Sequence, residues 1–331
     1  MNNLLQKIKP RIFRPVRPPH AFVLTRHRLV YVGRPASTRK SLVTDPVAVT
    51  VISRPLPEGT LRAGRDGIPI PDRGLAAVVS SLVHAAGVRI SGASLVIPDD
   101  FVRVLAIDVD DSERNPKETE EVILWKFGRI FGEPVPALRM SWQSVGAGTE
   151  AVRLLAVATL EETAAQLEAA FGDSGIRVGA IESAALAVAS LARKALPADS
   201  FLVWADGDAA TTVFLKGGQL RFLRTKATSD PEEALQEIRL AASFVADGTD
   251  AEGASLDVHG VCAAGPVGSP IVDRFRAFRA EQGGPVPTAL TRATLAAHIL
   301  ALPGLSGAAQ TLAGVDDPAV LVALGAMAGG D

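Results

Sequence analysis

The sequence predicts an α/β protein of two domains, in which mixed or parallel sheets are covered by helices. Strand and helix patterns alternate along the first 194 residues in units of βαβ size. Each half also begins with a β-hairpin-like segment, at 21–32 and at 201–223. A chain of 331 residues is long enough for two medium domains with substantial cores. Segment 196–199 interrupts the alternation, and we place the domain boundary there.

The first elements follow from hydrophobic periodicity. Alternating apolar and polar residues predict strands at 20–32 and 47–52. Helical spacing predicts a helix at 74–86, followed by short buried strands at 95–98 and 102–109. The residues expected on the inner face of this helix are Leu75, Val78, Val79 and Leu82.

A capped helix is predicted next. Asn115 can accept a hydrogen bond from the first turn, Pro116 fits the first helical position, and Glu118 can bond back to the cap. The apolar residues that align on one face are Ile123, Phe127, Ile130 and Phe131.

The first domain ends with two more helices. A strand at 153–158 leads to Thr159 and Glu162, which we interpret as a second capping box. A strand at 175–181 and an Ala-rich helix at 183–194 follow. The apolar residues assigned to the helix after the capping box are Leu160, Leu167 and Phe171.

The segment 201–224 predicts a strand, an Asp206-Gly207 turn, a second strand and a hairpin. Gly217 and Gly218 supply the positive φ angles that a two-residue hairpin turn requires. Taken alone, the segment fits a hairpin with nothing bound as well as a hairpin that contacts nucleotide phosphates.

Beyond the hairpin, Asp230, Pro231 and Glu233 predict a third capped helix. Segment 256–262 is strand-like and runs into a small-residue turn at 263–266. The residues expected on the inner face of the helix are Leu235, Ile238, Ala242 and Val245.

Composition excludes several classes of function. The single cysteine, Cys262, excludes an internal disulfide framework, fits a reducing compartment and is interpreted as an inert core thiol. The five histidines are scattered without metal-ligand spacing, and Asp108, Asp110 and Asp111 lack the Gly and later Glu of a calcium loop. From this spacing we expect no metal site. No stretch resembles a membrane span or a signal peptide, so we expect a cytoplasmic protein.

Charge is concentrated at the N-terminus. The first 44 residues carry ten Lys or Arg and no acid, and four prolines break the helical potential of 1–19. This basic leader is either a solvated tail or a weak attachment to an anionic membrane surface or acidic partner. Nucleic acid is the least favoured partner, because no aromatic platform or reader motif accompanies the charge.

Four segments together carry a resemblance to a known family. They are LLQKIKPR at 4–11, VIPDDFV at 96–102, EEVILWKF at 120–127 and DPAVLVALGAMA at 317–328. The chain resembles the PilM family of type IV pilus assembly proteins, which is related to the cytoplasmic portion of the type II secretion protein GspL. Both have the actin-like fold of FtsA.

The resemblance implies an actin-like, ribonuclease H-like α/β fold of the ASKHA type. A first actin-like domain at 20–195 would follow the leader at 1–19 and contain an inserted α/β subdomain at about 101–176. A second actin-like domain would occupy 196–331.

The nucleotide elements of the family are degraded here. ATP-binding members carry Asp-x-Gly, Ser and Lys on the first hairpin, where this chain has Ala21 and Val23 near the acid and glycine positions. The adenosine loop is represented only by a turn around Gly265. The residues that match nucleotide-binding positions are Thr25, Arg28, Asp206, Gly207, Thr211, Thr212 and Gly265.

The leading hypothesis from the resemblance is a cytoplasmic pseudo-ATPase scaffold, peripheral to the inner membrane, in a type IV pilus or type II secretion-like platform. It would bind no cofactor and would capture the cytoplasmic tail of a PilN-like single-span protein. The alternative is an active ATPase of the actin-like superfamily that binds ATP and Mg²⁺. A small-molecule kinase is a third hypothesis, for which we identify no carboxylate base or other catalytic residue. Homo-oligomerisation is left open.

A groove for the tail is expected beside helix 116–131 and the strand around 95–104. The competing interpretation is that Phe127 and Phe131 fill the subdomain core. The residues assigned to partner binding are Arg103, Trp125, Lys126 and Phe127.

Overall fold

The structure is a computed structural model. It describes residues 17–33, 49–110, 115–132, 134–147, 151–192, 196, 200–206, 209–228, 230–247, 261–264, 268–282 and 317–328.

The elements are numbered in chain order. The strands are β1 (His20–Leu24), β2 (Arg28–Gly33), β3 (Thr50–Pro55), β4 (Leu61–Arg62), β5 (Ile70–Pro71), β6 (Gly92–Ile97), β7 (Arg103–Asp110), β8 (Leu138–Ala147), β9 (Ala151–Leu160), β10 (Arg177–Ser183), β11 (Ser200–Asp206), β12 (Ala209–Lys216), β13 (Gln219–Ala227) and β14 (Val261–Ala264). The helices are α1 (Gly74–Ala86), α2 (Pro116–Phe131), α3 (Glu161–Gly172), α4 (Ala184–Ala192), α5 (Pro231–Asp247), α6 (Gly268–Gln282) and α7 (Pro318–Ala328).

Two sheets share one topology. The first has the order β10-β6-β1-β2-β3, in which β1 pairs antiparallel with β2 and parallel with β6. The second has the order β13-β12-β11-β14, in which β11 pairs antiparallel with β12 and parallel with β14. Each half of the chain therefore begins with an antiparallel meander, and a parallel strand is then added on the other side of the first strand.

Helices cover both sheets in layers. Apolar residues of α1 and α3 pack on one face of the first sheet, and those of α5 and α6 pack on the outer face of the second. Between the sheets lie α4 and α7, whose Ala, Val and Leu side chains contact β1 and β2 on one side and β11 and β12 on the other. A single apolar core thus joins the two halves of the molecule.

The final helix crosses the predicted domain boundary. Although α7 follows the second sheet in sequence, it packs on α4 and on the first sheet. Gly325 lies so close to α4 that an added Cβ would stand 2.0 Å from the carbonyl oxygen of Ala187. The absence of a side chain at this position is what permits the two helices to touch.

The inserted subdomain is a three-stranded antiparallel sheet, β7-β9-β8, with α2 on one face. Strand β8 was not predicted, although Leu138, Met140 and Trp142 alternate with polar residues and pack toward the core. Ile130 was expected to face inward, but it is exposed because the buried stripe of α2 runs through Ile123, Phe127 and Phe131.

Two of the three predicted helix caps are confirmed. The side chain of Asn115 accepts a hydrogen bond from Lys117 N at 3.2 Å, and that of Asp230 accepts one from Glu232 N at 2.9 Å. The capping box at Thr159 is wrong, since this residue still belongs to β9. Its hydroxyl donates to the buried carbonyl oxygen of Phe101 at 2.7 Å and is not free to cap a helix.

The remaining elements predicted for the first sheet and the hairpin are present with bounds shifted by a few residues, as for β3 at Thr50–Pro55, and the predicted turn at Gly207 lies outside the described residues. The four inner residues assigned to α1 are buried. Gly217 and Gly218 have φ angles of 59° and 71°, as the two-residue turn requires.

Several predictions fall only partly on the described residues. Residues 1–16 of the leader and 256–260 of the last predicted strand lie outside them, as do the side chains of Ala242 and Val245. Of the leader, Arg17 forms an ion pair with Glu182 at the end of β10. Within the described ranges, every helix is too short or too polar to span a bilayer.

Candidate functional site

The candidate site is the junction where the first sheet meets the second. Three parts of the chain meet there: a short 3₁₀ turn (Asp99–Phe101) that follows β6, the N-terminus of α4, and strands β12 and β13. In a parallel pair such as β6 and β10, the carboxyl ends of the strands reach the same edge of the sheet. The residues that follow β6 and β10 therefore lie together at this edge, next to the second domain.

Asp99 is the central residue of this junction. Its side chain is buried, and Oδ1 accepts a hydrogen bond from Ala185 N of α4 at 3.0 Å. Its other oxygen, Oδ2, accepts a hydrogen bond from the hydroxyl of Thr211 on β12 at 2.9 Å. One carboxylate thus connects two elements of the first domain with a strand of the second.

Burial raises the pKa of the Asp99 carboxyl, and the hydrogen bonds from Ala185, Ser183 and Thr211 oppose this shift. A carboxyl whose pKa is raised on folding is easier to protonate in the folded protein than in the unfolded chain. The ionised group therefore costs stability above the raised pKa, and this cost is relieved as the pH falls through that value.

Thr211 is fully buried and continues the hydrogen-bond chain. Because its own hydroxyl proton goes to Asp99, Thr211 Oγ1 accepts from the hydroxyl of Thr225 on β13 at 3.0 Å. Thr212 is also buried, on the neighbouring position of the same strand. Asp206 ends β11, but its side chain lies outside the described parts, as do Gly207 and Gly265.

Thr25 closes the turn between β1 and β2. Its hydroxyl donates to the carbonyl oxygen of Arg28 at 3.1 Å and accepts from the amides of His27 and Arg28 at 3.3 and 3.2 Å. All of these bonds are local, so the Thr25 hydroxyl stabilises the turn in this structure.

Arg28 connects this turn to the last helix. Its guanidinium donates two hydrogen bonds to Asp317, at 2.6 and 2.7 Å. Asp317 in turn caps α7 by accepting from Ala319 N at 3.0 Å. Fork-to-fork pairs of this kind are the strongest ion-pair geometry, so Arg28 is committed to the fold.

A second ion pair flanks the same turn. Arg26 pairs with Asp100, and its guanidinium carbon lies 5.9 Å from the centre of the Phe101 ring. The β1–β2 turn is therefore bound on one side to the 3₁₀ turn after β6 and on the other to α7.

The residues assigned to partner binding occupy different environments. Trp125 is 61% exposed, and the guanidinium carbon of Arg129 lies 5.6 Å from its ring centre. Lys126 is partly exposed, whereas Phe127 is fully buried in the subdomain core. Arg103 donates to the carbonyl oxygens of Asp100, Val102 and Asp66 at 3.0, 2.9 and 2.5 Å, so its guanidinium is used within the protein.

The duplicated sheet topology and the inserted subdomain can be compared with solved structures. The chain is similar to a chain of the PilM-PilN type IV pilus biogenesis complex, with a TM-score of 0.67 and 17% identity over 95% of this chain and 98% of that one. The chain has an actin-like fold. The fold implied by the family resemblance is thereby confirmed.

Two further structures are similar with lower scores. One is a Bacteroides thetaiotaomicron protein with an actin-like ATPase fold (TM-score 0.49, 7% identity, 78% of this chain and 87% of that one). The other is the cytoplasmic domain of EpsL, an inner membrane component of the type II secretion system of Vibrio cholerae (TM-score 0.44, 10% identity, 75% and 82%). No protein-family model and no curated protein matches the sequence.

Asp99 is the residue that sequence reasoning missed. It belongs to the segment 96–102 that carries the family resemblance, and the sequence pattern assigns it no site role. The available signal was an acidic pair directly after a buried strand. The Ala-rich helix that Asp99 contacts also follows a strand, and parallel pairing of the two strands brings their ends together. Within the described ranges, no group of three His, Cys, Asp or Glu side chains could hold a metal ion.

Proposed function

We propose that this protein is a cytoplasmic actin-like scaffold of a type IV pilus or type II secretion-like platform, and that it does not turn over ATP. The observation that carries the proposal is the likeness to a chain of the PilM-PilN complex over nearly the full length of both chains. In this proposal, the protein takes the place of PilM and lies at the inner membrane, where the basic leader adds weak attraction to anionic lipid.

The proposal that the protein does not turn over ATP is supported by the residues that match nucleotide-binding positions, because their side chains bond to other groups of the protein. Thr25 closes its own turn, and Arg28 is paired with Asp317. A phosphate near Thr211 would also face the Asp99 carboxylate, which lies 2.9 Å from the hydroxyl. Two like charges about 4 Å apart repel by about 4 kcal/mol at an effective dielectric constant of about 20.

We expect no Mg²⁺-dependent ATP hydrolysis above background and no heat of ATP binding in isothermal titration. Phosphoryl transfer depends on positioned metal and phosphate groups, and the first hairpin has Ala21 and Val23 near the acid and glycine positions. Asp206→Ala is the control, because Asp206 is the acid retained on the second hairpin. Turnover that disappears in this variant would overturn the prediction and favour an active ATPase.

The partner in this proposal is the N-terminal cytoplasmic tail of a PilN-like single-span membrane protein. The exposed side of α2 offers an aromatic ring at Trp125, apolar area at Leu124 and Ile130, and positive charge at Lys126 and Arg129. Aromatic anchors with flanking cations are typical of short-peptide binding surfaces. Phe127 holds α2 on the subdomain sheet from the buried side of the helix. The guanidinium of Arg103 bonds to the carbonyl oxygens of Asp66, Asp100 and Val102, none of which lies on α2, and is not part of this surface.

We expect Trp125→Ala to weaken binding of a PilN-like tail peptide at least about 30-fold, since an anchor residue contributes about 2 kcal/mol or more. Lys126→Glu should also weaken binding of the tail peptide. The measurement is fluorescence anisotropy of a labelled peptide from the PilN-like protein of the same organism.

The matched control is Leu240→Ala, which removes an apolar side chain of similar exposure from α5 in the second domain. This variant should bind as the wild type does. Unchanged affinity in both α2 variants would remove the proposed surface, and failure of the wild type to bind any such tail would remove the scaffold hypothesis in this form.

A further inference from the structure

We infer that Asp99 is an internal latch between the two domains. Without any ligand, it holds them in the arrangement of this structure, which we call the closed arrangement. The latch consists of Asp99, Ala185, Thr211 and Thr225, and it is defined by the hydrogen bonds among them. This inference stands on contacts within the chain and does not depend on the proposed partner.

Connectivity is the first argument. Asp99 follows β6 of the first sheet, Ala185 lies in the first turn of α4 between the sheets, and Thr211 belongs to β12 of the second sheet. Residues 99 and 211 are 112 positions apart in sequence, and their bond crosses the domain junction. A relative rotation of the domains at this junction has to break this bond.

Burial is the second argument. Asp99 is 5% exposed and Thr211 is 0% exposed, so water reaches neither group in the closed arrangement. A buried polar group that loses its hydrogen-bond partner is costly, and both groups are buried and paired here. Separating the domains at this junction therefore breaks the bond between Asp99 and Thr211 and exposes both groups to water.

The arrangement is also directional. Thr225 donates to Thr211, and Thr211 donates to Asp99, so the carboxylate orients the whole chain of hydroxyls. An Asn side chain can replace the carboxylate, because its oxygen can still accept from Ala185 N while its amide group donates to Thr211 Oγ1. An Ala side chain can do neither.

The test is hydrogen–deuterium exchange of the ligand-free, full-length protein, read by mass spectrometry over the start of α4 and over β12. We expect Asp99→Ala and Thr211→Val each to raise exchange in both segments at least tenfold. The double variant should add little further, since the two residues share one bond. Asp99→Asn should retain most of the protection.

Asp100→Asn is the matched control, because the neighbouring carboxylate pairs with Arg26 within the first domain and should leave exchange at β12 unchanged. If Asp99→Ala does not fold, Thr211→Val carries the test alone, since it replaces the hydroxyl by a methyl group of similar size and keeps the β-branched shape. Additive effects of the two substitutions, or wild-type exchange in both folded variants, would overturn the latch. Neither readout involves nucleotide or tail peptide, so failure here is distinguishable from failure of the proposed function.

Discussion

Gly325→Ala is expected to destabilise the protein by about 3 kcal/mol or more, at the upper end of the range for overpacked cores. The added Cβ would stand 2.0 Å from the carbonyl oxygen and 2.6 Å from the carbonyl carbon of Ala187. These are backbone atoms of α4, so no side-chain rotation can relieve the clash. The helices α4 and α7 would have to separate, which opens the core between the two sheets.

The free energy of unfolding, from urea denaturation followed by circular dichroism, is the measurement. Gly172→Ala at the end of α3 is the control, because an added Cβ there meets no described atom within 4 Å. This change should be neutral or stabilising by up to about 1 kcal/mol, since alanine is less flexible than glycine in the unfolded chain. Equal stability of the two variants would show that α4 and α7 do not pack as described.

Phe127→Ala is the second substitution with a large expected effect, a loss of about 3 to 5 kcal/mol in subdomain stability. The ring is fully buried between α2 and the sheet β7-β9-β8, and its centre lies 6.4 Å from that of Phe131. Its removal leaves a cavity that the rigid sheet cannot fill. Unfolding of the subdomain can be followed by exchange protection of β7 and β9.

Trp125→Ala on the same helix is the contrasting variant. Its side chain is mostly exposed, and the stabilising contact at risk is the one with Arg129, worth about 0.5 to 1 kcal/mol at an exposed site. We expect a small change in stability together with a large change in tail binding. A severe loss of stability from Trp125→Ala, or none from Phe127→Ala, would contradict the division of α2 into a core face and a binding face.

Local chemistry alone determined a large part of this fold. The caps at Asn115 and Asp230 and the Gly217-Gly218 turn depend on bonds or dihedral angles within a few residues, and all three are confirmed. The inner face of α1 follows in the same way, because the spacing of its apolar residues matches the helical repeat. The resemblance of four segments to the PilM family also indicated the actin-like fold.

The tertiary structure decided what the matching polar residues do. Thr159 has the sequence of a cap, but a buried carbonyl 58 positions away takes its hydroxyl. Arg28 and Thr211 match nucleotide-binding positions, yet their partners are Asp317 and Asp99, 289 and 112 positions away. A polar side chain bonds to whichever group the fold brings within about 3 Å. Residue type and local spacing do not predict which distant group that is.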